Sequence, residues 1–142
     1  MSRTIATVAI AATLAACAPM RYSQAIDDLR DTSVANVAAY SKQVRDFLYA
    51  GHHELEAIEL GKKATADGLK DPGSAHFRNV RLKPHLQGAV VCGEVNAKNS
   101  YGGYVGFTRF AAGITGAILE DSSSSSPAVS AASNEGLNRA CR

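Results

Sequence analysis

The stretch Val91–Phe110, VCGEVNAKNSYGGYVGFTRF, determines the fold of this chain more than any other part of it. It begins with apolar and polar residues in alternation, turns polar, crosses two glycines and becomes aromatic and apolar. A period of two is typical of a strand with one buried face. Asn and Gly in the middle are the residues that tight turns favour. The stretch therefore predicts two antiparallel strands joined by the turn NSYGG at 99–103.

The first of these strands is predicted to have one apolar and one polar face. The apolar face would carry Ala89, Val91, Val95 and Ala97, and the polar face Cys92, Glu94, Asn96 and Lys98. An earlier strand is predicted at 77–84, FRNVRLKP. The segment HLQG at 85–88 is typical of a hairpin turn and would join the two strands. The returning strand is YVGFTRFAAG at 104–113. Together they predict a three-stranded antiparallel β-meander.

Two helices are predicted before the sheet. The segment 33–51 has apolar residues at helical spacing, with Ser33 placed to cap its start and Gly51 to end it. In the segment 53–70, one face would carry Leu55, Ile58 and Leu69. The predicted fold class is α+β, with these N-terminal helices packed on one side of the meander and a short C-terminal helix.

The C-terminal part changes in composition. Residues 120–132, EDSSSSSPAVSAA, are low in complexity and lack an apolar pattern, which predicts a flexible loop after an α+β domain at 33–119. Residues 133–142 are predicted to form a last short helix, capped by Ser133, that brings Cys141 back to the domain.

The N-terminus has the layout of a secretory signal. Arg3 is followed by an uncharged stretch too short to span a bilayer, and the string Leu14-Ala15-Ala16-Cys17 resembles the lipobox of bacterial lipoproteins. The resemblance implies a signal peptide at 1–16, acylation of Cys17 and a lipid anchor and tether, or a short helix, at 17–32. Ala18 is not an aspartate, which implies the periplasmic face of the outer membrane. The alternative is a plain signal peptide with an incidental cysteine.

The two remaining cysteines favour a disulfide. An exported domain meets an oxidising compartment, and one pair of cysteines there most often forms one bridge. Joining Cys92 to Cys141 would close a loop of about fifty residues. The alternative is that Cys92 is a catalytic nucleophile, which would require a base nearby.

Charge and motifs exclude several classes of ligand. The formal charge is +2, and +1 once Arg3 is removed, so nucleic acid binding is not indicated. The glycines at 102, 103 and 106 do not form a GxGxxG loop, and no cofactor is expected. His52 and His53 are adjacent on a helix and point to different faces, so no metal site is expected.

The hairpin of the opening stretch allows three interpretations. In the first, Asn99, Gly102 and Gly103 only build a turn, while the aromatic residues, Phe107 among them, serve the core. In the second, the hairpin is a recognition surface for an envelope protein or a glycan, because tyrosine beside Asn and charged groups is typical of binding surfaces. Its residues would be Glu94, Asn96, Lys98, Asn99, Tyr101, Tyr104 and Arg109. In the third, the protein is an envelope enzyme that uses Glu94 or Cys92.

Two longer motifs carry a family resemblance. LKDPGSAHFRNV and VCGEVNAKNSYGGYVGFTRF, within 69–110, resemble the pattern LKDPxSAxFRNV followed by CGEVNxKNxxGGYxGFxRF of a small uncharacterised bacterial envelope lipoprotein family. Gly73 departs from the polar residue that is more usual there. The resemblance implies membership of that family and an envelope location, and it implies no particular activity.

Overall fold

The computed structural model describes residues 18–142, so the predicted signal peptide at 1–16 and the predicted acylation site Cys17 lie outside the described residues. Helix α1 spans Ala18–Tyr49 and α2 spans Glu54–Asp67, and a short 3₁₀ turn follows at Pro72–Ser74. The remaining elements are the strands β1 (His76–His85), β2 (Gly88–Asn96), β3 (Thr108–Ala112) and β4 (Ala117–Leu119), then the helices α3 (Pro127–Ser133) and α4 (Glu135–Ala140).

The strands form one antiparallel sheet in the order β1-β2-β3-β4, which confirms the α+β class. The prediction of three strands was wrong by one, because the chain turns back after β3. Gly113 donates its N–H to the carbonyl of Gly116 at 2.9 Å, and this tight turn places β4 beside β3. The sequence Gly-Ile-Thr-Gly at 113–116 is therefore a second hairpin turn.

Helices cover both faces of the sheet, not one as predicted. One face packs against α1 and α4 through Val37, Val90, Cys92, Ala111 and Leu137. The other face carries Val91, Val95, Phe110 and Ala112, and α2 lies against it. The reason lies in β2, where Val90, Val91 and Cys92 are consecutive and buried, as in strands that are covered on both faces. The polar face predicted for β2 exists only from Glu94 onward.

Helix α1 runs without a break through Ser33, so the predicted tether at 17–32 is helical from Ala18 and Ser33 is not an N-cap. Ser33 is buried instead, where its hydroxyl donates to the Ser133 carbonyl at 2.6 Å and accepts from the Gly136 N–H at 3.0 Å. A Cβ on Gly136 would lie 2.2 Å from the Ser33 carbonyl oxygen. Close approach of α1 and α4 therefore requires this glycine. At its other end α1 stops as predicted, with Gly51 at φ +95°.

The face that α2 buries is made of small residues. Ala57, Gly61 and Thr65 are buried, while Leu55, predicted to face the core, is exposed. A Cβ on Gly61 would lie 2.7 Å from the Val91 side chain, so α2 lies very close to the sheet. A helix at this distance has no room for large side chains at the contact, which explains why Leu55 is exposed, whereas Leu69, beyond the end of α2, packs against the core.

The C-terminal segment is more ordered than its composition predicted. Residues 120–132, expected to be a flexible loop, include the start of α3 at Pro127, and α3 and α4 both pack against α1. Asn134, not Ser133, precedes α4, and its side chain accepts from the Asp121 N–H at 2.7 Å. Within residues 18–142, no helix is long and apolar enough to cross a membrane.

Candidate functional site

The connection between β2 and β3, residues 97–107, is the longest inside the sheet, and we call it the aromatic loop. The β1–β2 connection consists of Leu86 and Gln87 alone. Hairpin loops usually have about two to five residues. A connection as long as the aromatic loop is therefore more than the sheet needs to reverse the chain.

Asn99 organises the tip of the aromatic loop. Its backbone N–H donates to the Gly103 carbonyl at 2.9 Å, and its carbonyl accepts from the Gly102 N–H at 3.0 Å. Its side-chain oxygen accepts from the backbone N–H groups of Tyr101 at 2.9 Å and Gly103 at 3.1 Å. Gly102 has φ +80°, a conformation that glycine adopts at low cost. The positive φ predicted for the turn is found at Gly102 and not at Asn99 or Gly103, and Asn99 contributes hydrogen bonds instead.

Asn96 fixes the other side of the loop. Its side-chain oxygen accepts from the Gly106 N–H at 3.1 Å, and Gly106 has φ +101°. With Asn99, it gives the loop a defined backbone through side-chain hydrogen bonds. The side-chain amides of both asparagines were predicted to bind a partner, and in the structure they hold the backbone of the loop.

The fixed backbone presents large apolar side chains to solvent. Tyr101 at the tip is 97% exposed, and Val105 and Phe107 are exposed beside Tyr104. Large apolar side chains that are exposed close together often mark interaction sites, and these four all lie within residues 101–107 of one loop. Val105 was not among the predicted site residues, because a lone valine in a turn-rich segment carries no signal in the sequence.

Tyr104 and Lys98 are held together on this surface. Their backbones form an isolated β-bridge, and the Lys98 Nζ lies 5.8 Å from the centre of the Tyr104 ring. The Tyr104 hydroxyl lies 3.0 Å from Nε2 of His76, at the start of β1. Two of the predicted binding residues are thus adjacent and oriented.

Phe107 does not enter the core, contrary to the turn-only interpretation. Its ring lies under the Arg78 guanidinium, whose Cζ is 3.8 Å from the ring centre. The buried ring is that of Phe110, directly opposite Gly93 on β2. A Cβ on Gly93 would lie 2.9 Å from that ring, so the glycine makes room for it.

Two charged residues of the predicted site, Glu94 and Arg109, belong to a row of charges across the sheet, which we call the charge ladder. It consists of Arg78 on β1, Glu94 on β2, Arg109 on β3 and Glu120 just after β4, with each residue facing a neighbour of opposite sign. Opposite charges directly across a sheet favour the pairing of its strands. Glu94 and Arg109 therefore join strands, and Arg78 of the same ladder contacts the Phe107 ring of the aromatic loop.

The charge ladder keeps its carboxylates ionised. Hydrogen bonds from Arg78 at 2.9 and 3.1 Å, and one from Asn79 at 3.0 Å, lower the pKa of Glu94. Hydrogen bonds from Arg109 likewise lower the pKa of Glu120. A general acid or base is most effective when its pKa lies near the operating pH. Glu94 is shifted away from that range.

Cys92 and Cys141 form the predicted disulfide, with an S–S distance of 2.01 Å. The thiol that the enzyme interpretation requires at Cys92 is consumed by this bond. The bridge joins the buried face of β2 to the end of α4, which explains how a C-terminal segment of low complexity stays on the domain.

His52 and His53 lie between α1 and α2, not on a helix as predicted. His52 stacks on Phe47 with ring centres 4.0 Å apart and lies 3.0 Å from the Glu56 carboxylate. Across residues 18–142, no three side chains of His, Cys, Asp or Glu converge as ligands of a metal ion would.

The predicted binding residues thus separate into three groups. Glu94 and Arg109 belong to the charge ladder, and Asn96 and Asn99 hold the loop backbone. Tyr101 and Tyr104 are exposed and Lys98 is half-buried beside Tyr104, and Val105 and Phe107 of the same loop are exposed as well. Comparisons of the chain with protein-family models, with curated proteins and with solved structures give no match.

Proposed function

We propose that this protein is a lipid-anchored envelope protein without enzymatic activity, which binds another envelope component through the aromatic loop. The observation that carries the proposal is the 97% exposure of Tyr101 at the tip of a loop whose backbone is hydrogen-bonded on both sides. A flexible loop would lose conformational entropy on binding. A loop that is already fixed avoids most of that cost.

The composition of the exposed surface supports a binding role. Tyr101 and Tyr104 offer large rigid contact areas with a hydroxyl at the end, which is why tyrosine is common at binding surfaces. Val105 and Phe107 add apolar area, and Lys98 adds a positive charge. Aromatic anchors of this kind carry most of the binding energy in protein interfaces.

The anchor is proposed from the sequence. Acylation of Cys17 in the string Leu14–Cys17 would attach the domain to the outer membrane at its periplasmic face. One acyl chain alone gives weak attachment, whereas several acyl chains give a durable one. Replacement of Cys17 by serine is expected to release the protein from the membrane fraction and remove lipid labelling. Unchanged labelling would contradict the anchor.

Capture from envelopes tests the recognition surface. Envelopes are cross-linked, the protein is isolated by an affinity tag, and Tyr101→Ser is compared with the unsubstituted protein. Tyr49→Ser is the matched control, because Tyr49 is 83% exposed at the end of α1, away from the loop. The proposal expects loss of a stoichiometric partner in Tyr101→Ser only. Equal capture by both variants would contradict it.

A further inference from the structure

A cavity opens beside the aromatic loop on the face of the sheet that α2 covers. Its volume is about 190 Å³. Val95, Leu69 and Leu119 belong to the hydrophobic layer beneath it, and Val105 of the aromatic loop lines it as well. The cavity therefore connects the exposed surface of the loop with the apolar interior.

Two lysines line the same cavity, and none of the lining residues found within 18–142 is acidic. They are Lys70, from the segment after α2, and Lys98, from the start of the aromatic loop. Within residues 18–142, neither ammonium group forms an ion pair with a carboxylate. Other surface lysines do, since Lys42, Lys62 and Lys63 each pair with a carboxylate three or four residues away on their own helix.

Lys98 is positioned by its neighbours. Its backbone N–H donates to the Ser74 hydroxyl at 2.9 Å, and its ammonium group lies 5.8 Å from the Tyr104 ring centre. A cation near an aromatic face is attracted by the ring. The positive charge is thereby kept at the border between the cavity and the exposed aromatic surface.

The size of the cavity limits what it accepts. Pockets for drug-sized ligands have volumes of about 300–1,000 Å³, so this cavity is too small for such a molecule. It is suited to a single apolar side chain, and apolar anchors in small pockets are the usual centres of binding energy in protein interfaces. The two lysines add a preference for negative charge at its edge.

We propose that the cavity binds an acidic segment of a partner protein, with an apolar side chain in the cavity and a neighbouring Asp or Glu carboxylate between Lys70 and Lys98. This inference rests on the proposed function and specifies the chemistry of its partner. A carboxylate paired with an ammonium group forms a charge-assisted hydrogen bond, which is stronger than a neutral one. The lysines would therefore select acidic over neutral segments.

Synthetic peptides test the preference directly. Short peptides with one Leu or Phe beside Glu, in a Gly-Ser background, are immobilised next to matched peptides with Gln in place of Glu. The purified full chain is expected to bind the Glu peptides about tenfold more tightly, which corresponds to roughly 1.4 kcal/mol. Equal binding of both sets, or binding of neither, would overturn the proposal.

Substitutions of the two lysines test whether they cause the preference for Glu peptides. Lys70→Met with Lys98→Met keeps the aliphatic stems and is expected to bind both peptide sets alike, whereas Lys70→Arg with Lys98→Arg is expected to keep the preference. Lys42→Met with Lys63→Met is the control, because these lysines pair on their helices away from the cavity. A preference that survives in the Lys70 and Lys98 methionine variant would contradict the assignment.

The outcomes also separate this inference from the proposed function. Suppose that Tyr101→Ser loses its envelope partner while Glu and Gln peptides bind alike. The proposed binding role of the aromatic loop is then kept, and the proposal of an acidic partner segment is rejected. If Tyr101→Ser captures as well as the unsubstituted protein, the proposed function is wrong. Binding of N-acetylglucosamine oligosaccharides in place of the peptides, unaffected by the lysine variants, would identify a glycan ligand and overturn the inference.

Discussion

The side-chain oxygen of Asn96, the last residue of β2, lies 3.1 Å from the backbone nitrogen of Gly106, near the end of the aromatic loop. This hydrogen bond joins the two ends of the loop and gives it a defined shape at the position where its apolar side chains are exposed. The binding role proposed for the loop depends on that shape.

Removing this hydrogen bond should loosen the loop. Asn96→Ala is expected to lower the free energy of unfolding by about 1 kcal/mol, the usual net contribution of one hydrogen bond. Amide exchange at Gly106 should accelerate, and partner capture should weaken with Tyr101 still in place. Ser100→Ala, at the exposed tip, is the control. Unchanged exchange at Gly106 would mean that the loop is held by other contacts.

Replacement of Gly93 by alanine should lower the free energy of unfolding more than replacement of Gly103 by alanine. A Cβ on Gly93 would meet the Phe110 ring and the Val80 side chain at 2.9 Å each, so Gly93→Ala is expected to cost about 1–3 kcal/mol through overpacking. A Cβ on Gly103 would meet only the Asn99 side chain, at 3.8 Å. Gly103→Ala should therefore be nearly neutral in urea unfolding. Equal losses would contradict the packing described for Phe110.

Loss of the disulfide should destabilise the domain. Cys92 and Cys141 are separated by 49 positions in the chain. In the chain-entropy model, a bridge of this span contributes about 4 kcal/mol. The free energy of unfolding of the double variant Cys92→Ala with Cys141→Ala, measured in urea, should be lower by that amount. Peptide mapping without reductant should recover the linked peptides from the native protein. Two freely alkylatable thiols in the native protein would contradict the bridge.

Acid should weaken the charge ladder. Because Arg109 lowers the pKa of Glu120 in the folded state, the pair contributes stability above the ordinary glutamate value of 4.5. That contribution is lost as the pH falls through the lower, folded-state pKa. Below pH 4.5, the melting temperature of the native protein should therefore fall more steeply than that of Glu120→Gln. Parallel curves would show that the pair does not contribute to acid sensitivity.

The sequence predicted the elements whose signals are local. The turn at Asn99 and Gly102, the helix end at Gly51 and the disulfide between Cys92 and Cys141 each depend on a few residues with specific chemistry. The α+β class followed from two segments of helical spacing that precede three segments with the signals of strands. These features require no knowledge of which helix packs where.

The features that the sequence did not predict depend on contacts between residues that are far apart in the chain. Ser33 resembles a helix cap locally, but it contacts Gly136 about a hundred residues later, as the separation of 103 positions shows. Leu55 lies at a core spacing, yet α2 approaches the sheet through Gly61 and leaves Leu55 exposed. Glu94 and Arg109 belong to the predicted polar patch, but their charges are satisfied across the sheet.

The central claim is that the aromatic loop contacts a partner in the envelope, and site-specific photo-cross-linking tests it most directly. A benzophenone amino acid is placed at Tyr101, in the loop, and in a second variant at Tyr49, which is similarly exposed at the end of α1. Irradiation of intact envelopes should give one discrete adduct from position 101 that position 49 does not give. The same adducts from both positions, or no adduct from position 101, would contradict the claim.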